Sequence, residues 1–300
     1  MAELLKGAPA AAALTEQVKK KTDFLKEHGV VPTLAILRVG ARDDDLSHER
    51  GAVKRCEKAG IEVRTEALPA DVPQEVFFRT LDDLNKDPSV HGILMFRPLP
   101  PHLDGEKARQ LLNPAKDVDG CTDGSLAGVF TNTDNGFPPC TARAAMELLR
   151  YYGIDPKGKR AAVIGRSLVI GRPAAMMLMH ANATVTVCHT RTADVSSVTR
   201  EADIIIAASG QMESVGTEYF RPLSPGQDPE KGNGQTVIDV GIGWNEEKQK
   251  LCGDVRFDEA ALLVSALSPV PGGVGAVTTA VLALHTAEAA ARSAGFTNIS

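Results

Sequence analysis

No stretch of this chain stays apolar for the roughly 18 residues that a membrane-spanning helix needs. The early apolar run Ala10–Leu14 is followed at once by Glu16, Lys19, Lys20 and Lys21. That is the start of an amphipathic helix rather than a secretory leader. No basic block stands out either. Acids and bases are mixed to a net charge of −5, which gives no electrostatic case for a nucleic-acid partner. The five cysteines (Cys56, Cys121, Cys140, Cys188 and Cys252) are scattered, odd in number and never spaced as CxxC. They are expected to be free, mostly buried thiols in a reducing compartment, with neither a disulfide framework nor a metal role. Internal repeats and low-complexity tracts are missing as well. Together these absences predict a cytoplasmic protein with no membrane or nucleic-acid partner.

What is present suits two α/β domains. A length of 300 residues with 43% hydrophobic content can bury a core in each. The first half alternates strand and helix patterns: strands at 33–39, 62–68 and 92–96, helices at 47–59, 73–84 and 104–112. This βαβαβ order predicts a parallel sheet covered by helices. Residues 117–139 are rich in Gly, Asp, Asn, Thr and Pro and are expected to form a functional loop. A helix at 141–152 then links to a second alternating unit. Its strands are expected at 160–164, 183–188, 203–207 and 236–240, its helices at 171–180 and 195–200, and a loop at 223–234. An Ala-rich helix near 276–292 is expected to pack back on the first domain. The domain expectation is therefore 1–145 completed by 276–300, with 146–275 as the second domain.

The most informative stretch begins at Ala161. A strand runs into Gly165-Arg166-Ser167, then Ile170-Gly171-Arg172-Pro173 opens a helix. A glycine turn between a parallel strand and a helix N-terminus gathers backbone N–H groups and the helix dipole where a pyrophosphate can sit. The spacing is G-x5-G, not G-x-G-x-x-G, so a plain strand–helix turn is the competing explanation. Pro173 suits the first helical turn, where its missing N–H is not needed. The next strand ends Cys188-His189-Thr190-Arg191-Thr192, with no acid until Asp194. NAD enzymes usually carry an acid there for the ribose hydroxyls. Arg191, Thr190 and Arg166 suit a 2′-phosphate instead, because a guanidinium matches phosphate oxygens by charge-assisted hydrogen bonds. NADP is favoured over NAD.

With these residues in place, the chain resembles the methylenetetrahydrofolate dehydrogenase/methenyltetrahydrofolate cyclohydrolase family over nearly its full length. The resemblance rests on Lys116-Asp117-Val118-Asp119-Gly120, Pro139-Cys140-Thr141, the Gly165–Pro173 stretch and Ala181–His189. It continues through Asp239-Val240-Gly241-Ile242, Gly253-Asp254-Val255, Pro269–Gly275 and Thr278. It implies an N-terminal folate domain, a Rossmann-like NADP-binding domain with a parallel sheet, and a homodimer. The implied reaction is NADP-dependent oxidation of 5,10-methylenetetrahydrofolate to 5,10-methenyltetrahydrofolate, followed in bifunctional members by hydrolysis to 10-formyltetrahydrofolate. Asp119 matches the acid that grips the pterin, and a carboxylate can accept two N–H bonds from that edge. Asp117 is expected to shape the loop. Pro271, Gly272 and Gly273, with Thr278, would wall the folate and nicotinamide, as would Phe96, Arg97, Pro98 and Leu99 on the substrate side. Thr141, Ser209, Gly210, Gly241 and Ile242 would join Gly165, Arg166, Ser167, Ile170, Gly171, Pro173, His189, Thr190 and Arg191 around the cofactor.

The chain departs from the family at the one-carbon unit. The family normally has a Tyr and, four residues on, a Lys on one helix face, and a Gln before Pro-Leu-Pro. Here His48, Ala52 and Phe96 occupy those positions. Hydride transfer from the methylene bridge needs close approach and orientation, with little acid–base help. Hydrolysis must add water and shuttle a proton, which asks for a tuned Lys or similar group. The expectation is a competent dehydrogenase with weak or absent cyclohydrolase. His48, Lys54 and Arg97 are the candidate substitutes. His48 is the best of them because histidine titrates near neutrality. Lys54 is six residues from His48, and Arg97 stays charged. A fully bifunctional enzyme using His48 or another group, a shikimate-type dehydrogenase and a non-catalytic NADP- or folate-binding protein are the alternatives. The shikimate type would need a Lys–Asp catalytic pair in the N-terminal domain, and no lysine placed for it is obvious.

Overall fold

The computed structural model describes residues 1–296. The last four residues of the expected C-terminal segment, 297–300, lie outside the described residues. Among the described residues eleven strands occur in chain order: β1 (Glu3–Leu4), β2 (Thr33–Val39), β3 (Glu62–Leu68), β4 (Gly92–Met95), β5 (Arg160–Ile164), β6 (Thr184–Cys188), β7 (Ile204–Ala207), β8 (Thr236–Asp239), β9 (Gly243–Asn245), β10 (Lys250–Cys252) and β11 (Ala266–Leu267). The chain divides into two compact units. One holds residues 12–140 and the stretch from Thr279; the other holds 1–11 and 141–278.

The first of these units is built on a three-stranded parallel sheet in the order β3-β2-β4. β2 is central and apolar, with Leu34, Ala35, Ile36 and Leu37 buried, while β3 (EVRTEAL) is an edge and carries charge. A strand covered on both faces needs a continuous apolar run, and an edge strand does not. Phe77, Leu81 and Leu84, on one stripe of helix Gln74–Lys86, pack with Leu37, Ile93 and Met95. The helix after β2 runs Asp43–Lys58, four residues earlier than the apolar periodicity predicts. Its first turn is Asp43-Asp44-Asp45, invisible to periodicity but favoured beside the positive end of the helix dipole. Gly60 (φ +77°) follows it in the left-handed region.

Two features of this unit set up a site. Gly92 opens β4, and a Cβ there would stand 2.8 Å from Val118 Cγ1. Its absence lets the 117–121 segment lie along the strand, where Asp117 forms a parallel bridge with Ile93. The expected loop at 117–139 also contains a helix, Asp123–Thr131. Thr122 caps it by accepting from Ser125 N (3.1 Å), and Asn132 (φ 54°) ends it. Gly124 and Gly128 hid it in the sequence, since glycine disfavours helix. Gly128 is needed because a Cβ there would meet Asn135 O at 2.1 Å. The final helix is Gly275–Ser293. From Thr279 it belongs to this unit, where His285 is buried.

The other unit is a six-stranded sheet in the order β1-β11-β8-β7-β5-β6, all pairs parallel. β7 (IIIA) and β8 (TVID) are wholly buried, whereas the edge β6 (TVTVC) keeps polar threonines. Residues 1–11, assigned from sequence to the other domain, lie here because β1 adds to β11. A two-residue strand carries too little pattern to be read in advance. The hairpin β9–β10, with Trp244 opposite Leu251, was likewise not anticipated. Chain order reverses at β5: β6 lies on one side of it and β7 on the other. In open parallel sheets such a reversal opens a crevice at the carboxyl ends of the two central strands, which is where ligands bind.

Candidate functional site

The loops that leave β5 and β7 meet at that reversal. Gly165 follows β5 at φ +119°, and a Cβ there would stand 2.0 Å from Ala208 O in the loop after β7. A Cβ on Gly171 would stand 2.2 Å from Gly165 O. Both glycines are therefore required for the turn to close over the N-terminus of helix Gly171–His180. Within the turn, Ile170 N donates to Ser167 Oγ (3.2 Å) and Arg172 N to Ser167 O (3.0 Å). Pro173 is buried in the first helical turn. The helix dipole thus points at a crevice floored by backbone, the setting that suits a pyrophosphate.

The turn after β6 lies on the strand beside β5. His189 N donates to Thr192 Oγ1 (3.0 Å), and Arg191 N to His189 Nδ1 (3.1 Å). Asp194, the first acid beyond the strand, is committed elsewhere. It caps helix Val195–Glu201, accepting from Ser197 N (2.9 Å) and Ser196 Oγ (2.7 Å). Those hydrogen bonds hold its carboxyl below the ordinary range. Arg166 and Arg191 are exposed, and neither side chain has a hydrogen bond or ion pair among the described residues. An unengaged pair of guanidinium groups and an acid already consumed as a cap fit a ribose that carries a phosphate.

Sequence reasoning gave no role to the two acids that hold the rest of this crevice. Buried Asp239, at the end of β8, accepts from Gly241 N, Asp254 N (both 3.0 Å) and Val255 N (2.9 Å). Asp254 Oδ2 in turn accepts from Ser209 Oγ (2.9 Å) and Gly210 N (3.0 Å). This network ties the Ser209-Gly210 loop to Gly241, and exposed Ile242 follows. The signal available was the pair of glycines, Gly241 and Gly253, whose missing Cβ atoms leave space for the Asp254 and Asp239 carboxylates. In the same unit, Gly272 (φ +103°) accepts from Gly7 N (2.8 Å) through its carbonyl. Gly273 is buried beside Pro269 O, Thr278 Oγ1 donates to Gly275 O (3.0 Å), and Pro271 is exposed. Thr141 is half-buried in the first turn of helix Cys140–Tyr151.

A second group forms in the three-stranded unit, where β4 ends. His48, exposed on its helix, meets Phe96 edge-on (centroids 5.4 Å, 70°). Phe96 is buried; Arg97 turns back and donates through Nη2 to Asp119 Oδ2 (3.0 Å). Pro98 is exposed and Leu99 half-buried against the core. Asp117 is fully buried and shapes the segment: it accepts from Cys121 N (3.0 Å), Thr122 N (2.7 Å) and Ser125 Oγ (2.7 Å). Burial pushes the Asp119 carboxyl above the ordinary aspartate range. Arg97 opposes that push, neighbouring Asp117 adds to it, and His48 draws it back slightly. Behind the segment, Val118 O takes hydrogen bonds from Cys140 Sγ (3.2 Å) and from His285 Nδ1 (2.9 Å).

The candidate replacements are not all brought together. Ala52 is fully buried, one turn from His48, with Cys56 buried one turn further. Lys54 is exposed and has no side-chain hydrogen bond or ion pair among the described residues. At about 100° per residue it stands roughly 120° round the helix from His48, so the structure does not place it in the group. All five cysteines are free and buried. Burial pushes the Cys56 thiol up to about 12, so it stays a thiol at neutral pH. Among the described residues no helix is long and apolar enough to cross a membrane.

A doubly wound parallel sheet with a glycine-bounded crevice, joined in one chain to a second α/β unit with a three-stranded parallel sheet and an Arg–Asp pair, defines a dinucleotide-binding α/β protein. Comparison with known proteins gives the family. The pattern of the tetrahydrofolate dehydrogenase/cyclohydrolase catalytic domain matches residues 5–119. That of the same family's NAD(P)-binding domain matches residues 139–294. The chain belongs to the tetrahydrofolate dehydrogenase/cyclohydrolase family. It is 48% identical to the bifunctional protein FolD of Carboxydothermus hydrogenoformans, over 96% of this chain and 97% of that one. Among solved structures, the bifunctional FolD of Campylobacter jejuni is 37% identical with a TM-score of 0.89, covering 97% of this chain and 99% of that one. The Trypanosoma brucei methylenetetrahydrofolate dehydrogenase-cyclohydrolase, solved with NADP and an inhibitor, is 33% identical with a TM-score of 0.86, over 98% of each chain.

Proposed function

We propose that this protein oxidises 5,10-methylenetetrahydrofolate to 5,10-methenyltetrahydrofolate with NADP, in one-carbon metabolism, and hydrolyses the product weakly if at all. The relatives support the first part: the Campylobacter jejuni and Trypanosoma brucei proteins are named methylenetetrahydrofolate dehydrogenase/cyclohydrolases, and the latter was solved with NADP. The observation in this chain that carries the cofactor is the Gly165–Gly171 turn, with Asp194 turned away and Arg166 and Arg191 unengaged. Bound there, NADP supplies the hydride acceptor. Gly165, Ser167, Gly171 and Pro173 shape the pyrophosphate seat, Ser209, Gly210 and Gly241 its further wall, and Arg166, Thr190 and Arg191 the phosphate end. Asp119 holds the pterin edge.

The second part rests on Ala52. Where the resemblance expects a lysine, this chain has a methyl group with no accessible surface, and Phe96 replaces a polar neighbour. Orientation suffices for the oxidation, whereas hydrolysis loses the group that would move its proton. Purified protein with methylenetetrahydrofolate should form NADPH rapidly. With methenyltetrahydrofolate and no NADP, its absorbance should decay at close to the buffer rate. Fast decay abolished in His48→Ala would overturn the second part and favour full bifunctionality, a reading supported by His48 lying near enough to Asp119 to act on its charge.

The same reading extends to a cytoplasmic homodimer. Trp244 and Leu251, paired across β9–β10, are 49% and 37% exposed, an apolar face suited to a second copy. Light scattering of the purified chain tests it, and a monomer at micromolar concentration would remove the dimer.

A further inference from the structure

Three observations single out Arg97. First, the two aspartates of the 117–119 segment are not equivalent. Asp117 spends its carboxylate on three internal donors, whereas Asp119 has Arg97 as its one ion-pair partner among the described residues. Second, the pair is partly withdrawn from water, with side chains 31% and 27% exposed. That lessens, without removing, the screening that makes surface pairs weak. Third, only Oδ2 of Asp119 receives a hydrogen bond from Arg97, so the guanidinium fixes the carboxylate from one side.

We infer that Arg97 is a positioning residue, which fixes the orientation of the Asp119 carboxylate and keeps it ionised to receive the pterin N–H groups. The inference rests on the folate reading of this site and adds how the site is kept ready. A carboxylate moved out of water tends to take up a proton, and a protonated Asp119 would offer one acceptor fewer to the substrate. The groups that face it are Arg97 from the end of β4, His48 from helix Asp43–Lys58, Asp117 and Cys121 from its own segment, and Cys140 from the following helix. Asp117 adds repulsion and both thiols are held neutral by burial, so Arg97 is the main influence that favours the ion. Asp119 binds substrate as the carboxylate, so binding weakens as pH falls through its pKa. Removing Arg97 must move that loss to higher pH.

The test is the pH dependence of KM and kcat for methylenetetrahydrofolate in Arg97→Met and Arg97→Lys, with thermal melts to confirm folding. In Arg97→Met, KM at neutral pH should rise about 10- to 100-fold, the range of a charge-assisted hydrogen bond, with kcat within about threefold. The acid limb of kcat/KM should move upward by about one pH unit or more. Arg97→Lys keeps the charge, so it should recover most of the affinity and place the limb between the two. In an Asp119→Asn background, Arg97→Met should add little. An acid limb unmoved in Arg97→Met overturns the inference. If that variant melts too low to assay, an acid limb unmoved in Arg97→Gln, which stays polar and loses the charge, does so. Wild-type protein that forms no NADPH would instead sink the folate reading itself, a separate outcome.

Discussion

The crevice at the carboxyl end of β5 and the side-chain cluster at the end of β4 are built on different principles. The crevice is a backbone structure. Its shape follows from where a Cβ cannot be, at Gly165 and Gly171, and from carboxylates that tie loops together by their N–H groups. The cluster at the end of β4 is a side-chain structure, assembled from a helix residue, two residues leaving a strand and an acid on a loop. A backbone site tolerates wide changes of surface residue and fails at a few glycines. A side-chain site can keep its frame while single side chains within it change, and Ala52 and Phe96 are buried in this one.

The sharpest way to break this contrast is Gly165→Ala. The added methyl would stand 2.0 Å from Ala208 O, and φ +119° is outside what an alanine adopts. Strain at such a position costs about 1–3 kcal/mol, and a backbone clash adds to it. NADPH affinity by calorimetry should fall by more than about 100-fold, with a lower melting temperature. Affinity within threefold of wild type would show that backbone shape does not control the crevice.

A smaller effect separates shape from charge within the crevice. Arg191→Ala, and separately Arg166→Ala, should raise KM for NADP about 10- to 100-fold, as expected for a lost charge-assisted contact to phosphate, and leave KM for NAD nearly unchanged. Equal losses for both cofactors would mean that these residues support the turn instead of reading the phosphate.

The same contrast explains what the sequence could disclose. Strand–turn–helix order and the glycine spacing of the nucleotide turn are local, so β5, the turn and the helix at 171–180 were all placed by pattern alone. The absence of an acid after β6 was visible too, although only the structure shows Asp194 capping a helix. What stayed hidden is pairing across distance. Arg97 and Asp119 are 22 residues apart, and His285 reaches Val118 O across 167. Nothing in the composition of either partner announces the other. Short pieces were lost as well: β1 and β11 have two residues each, below any periodicity. The helix at 123–131 was masked by glycines required for packing against Asn135. Asp239 and Asp254 were visible only as parts of motifs, because a buried acid that accepts backbone N–H groups looks in sequence like any other aspartate.

The smallest expected effect falls on Lys54, the lysine nearest in sequence to the missing one. Its neighbours Ala52 and Cys56 face the core, whereas Lys54 is exposed and has no side-chain partner among the described residues. A solvated lysine on the outer face of a helix contributes only a few tenths of a kcal/mol. Lys54→Ala should therefore leave NADPH formation, decay of methenyltetrahydrofolate and melting temperature all close to wild type, within about twofold for the rates. Residual hydrolysis that disappears in Lys54→Ala but survives in His48→Ala would reverse the argument. It would require Lys54 to reach the one-carbon unit from a helix face turned about a third of a circle away, and the side-chain cluster would then be far less fixed by its frame than the packing of Ala52, Phe96 and Asp117 implies.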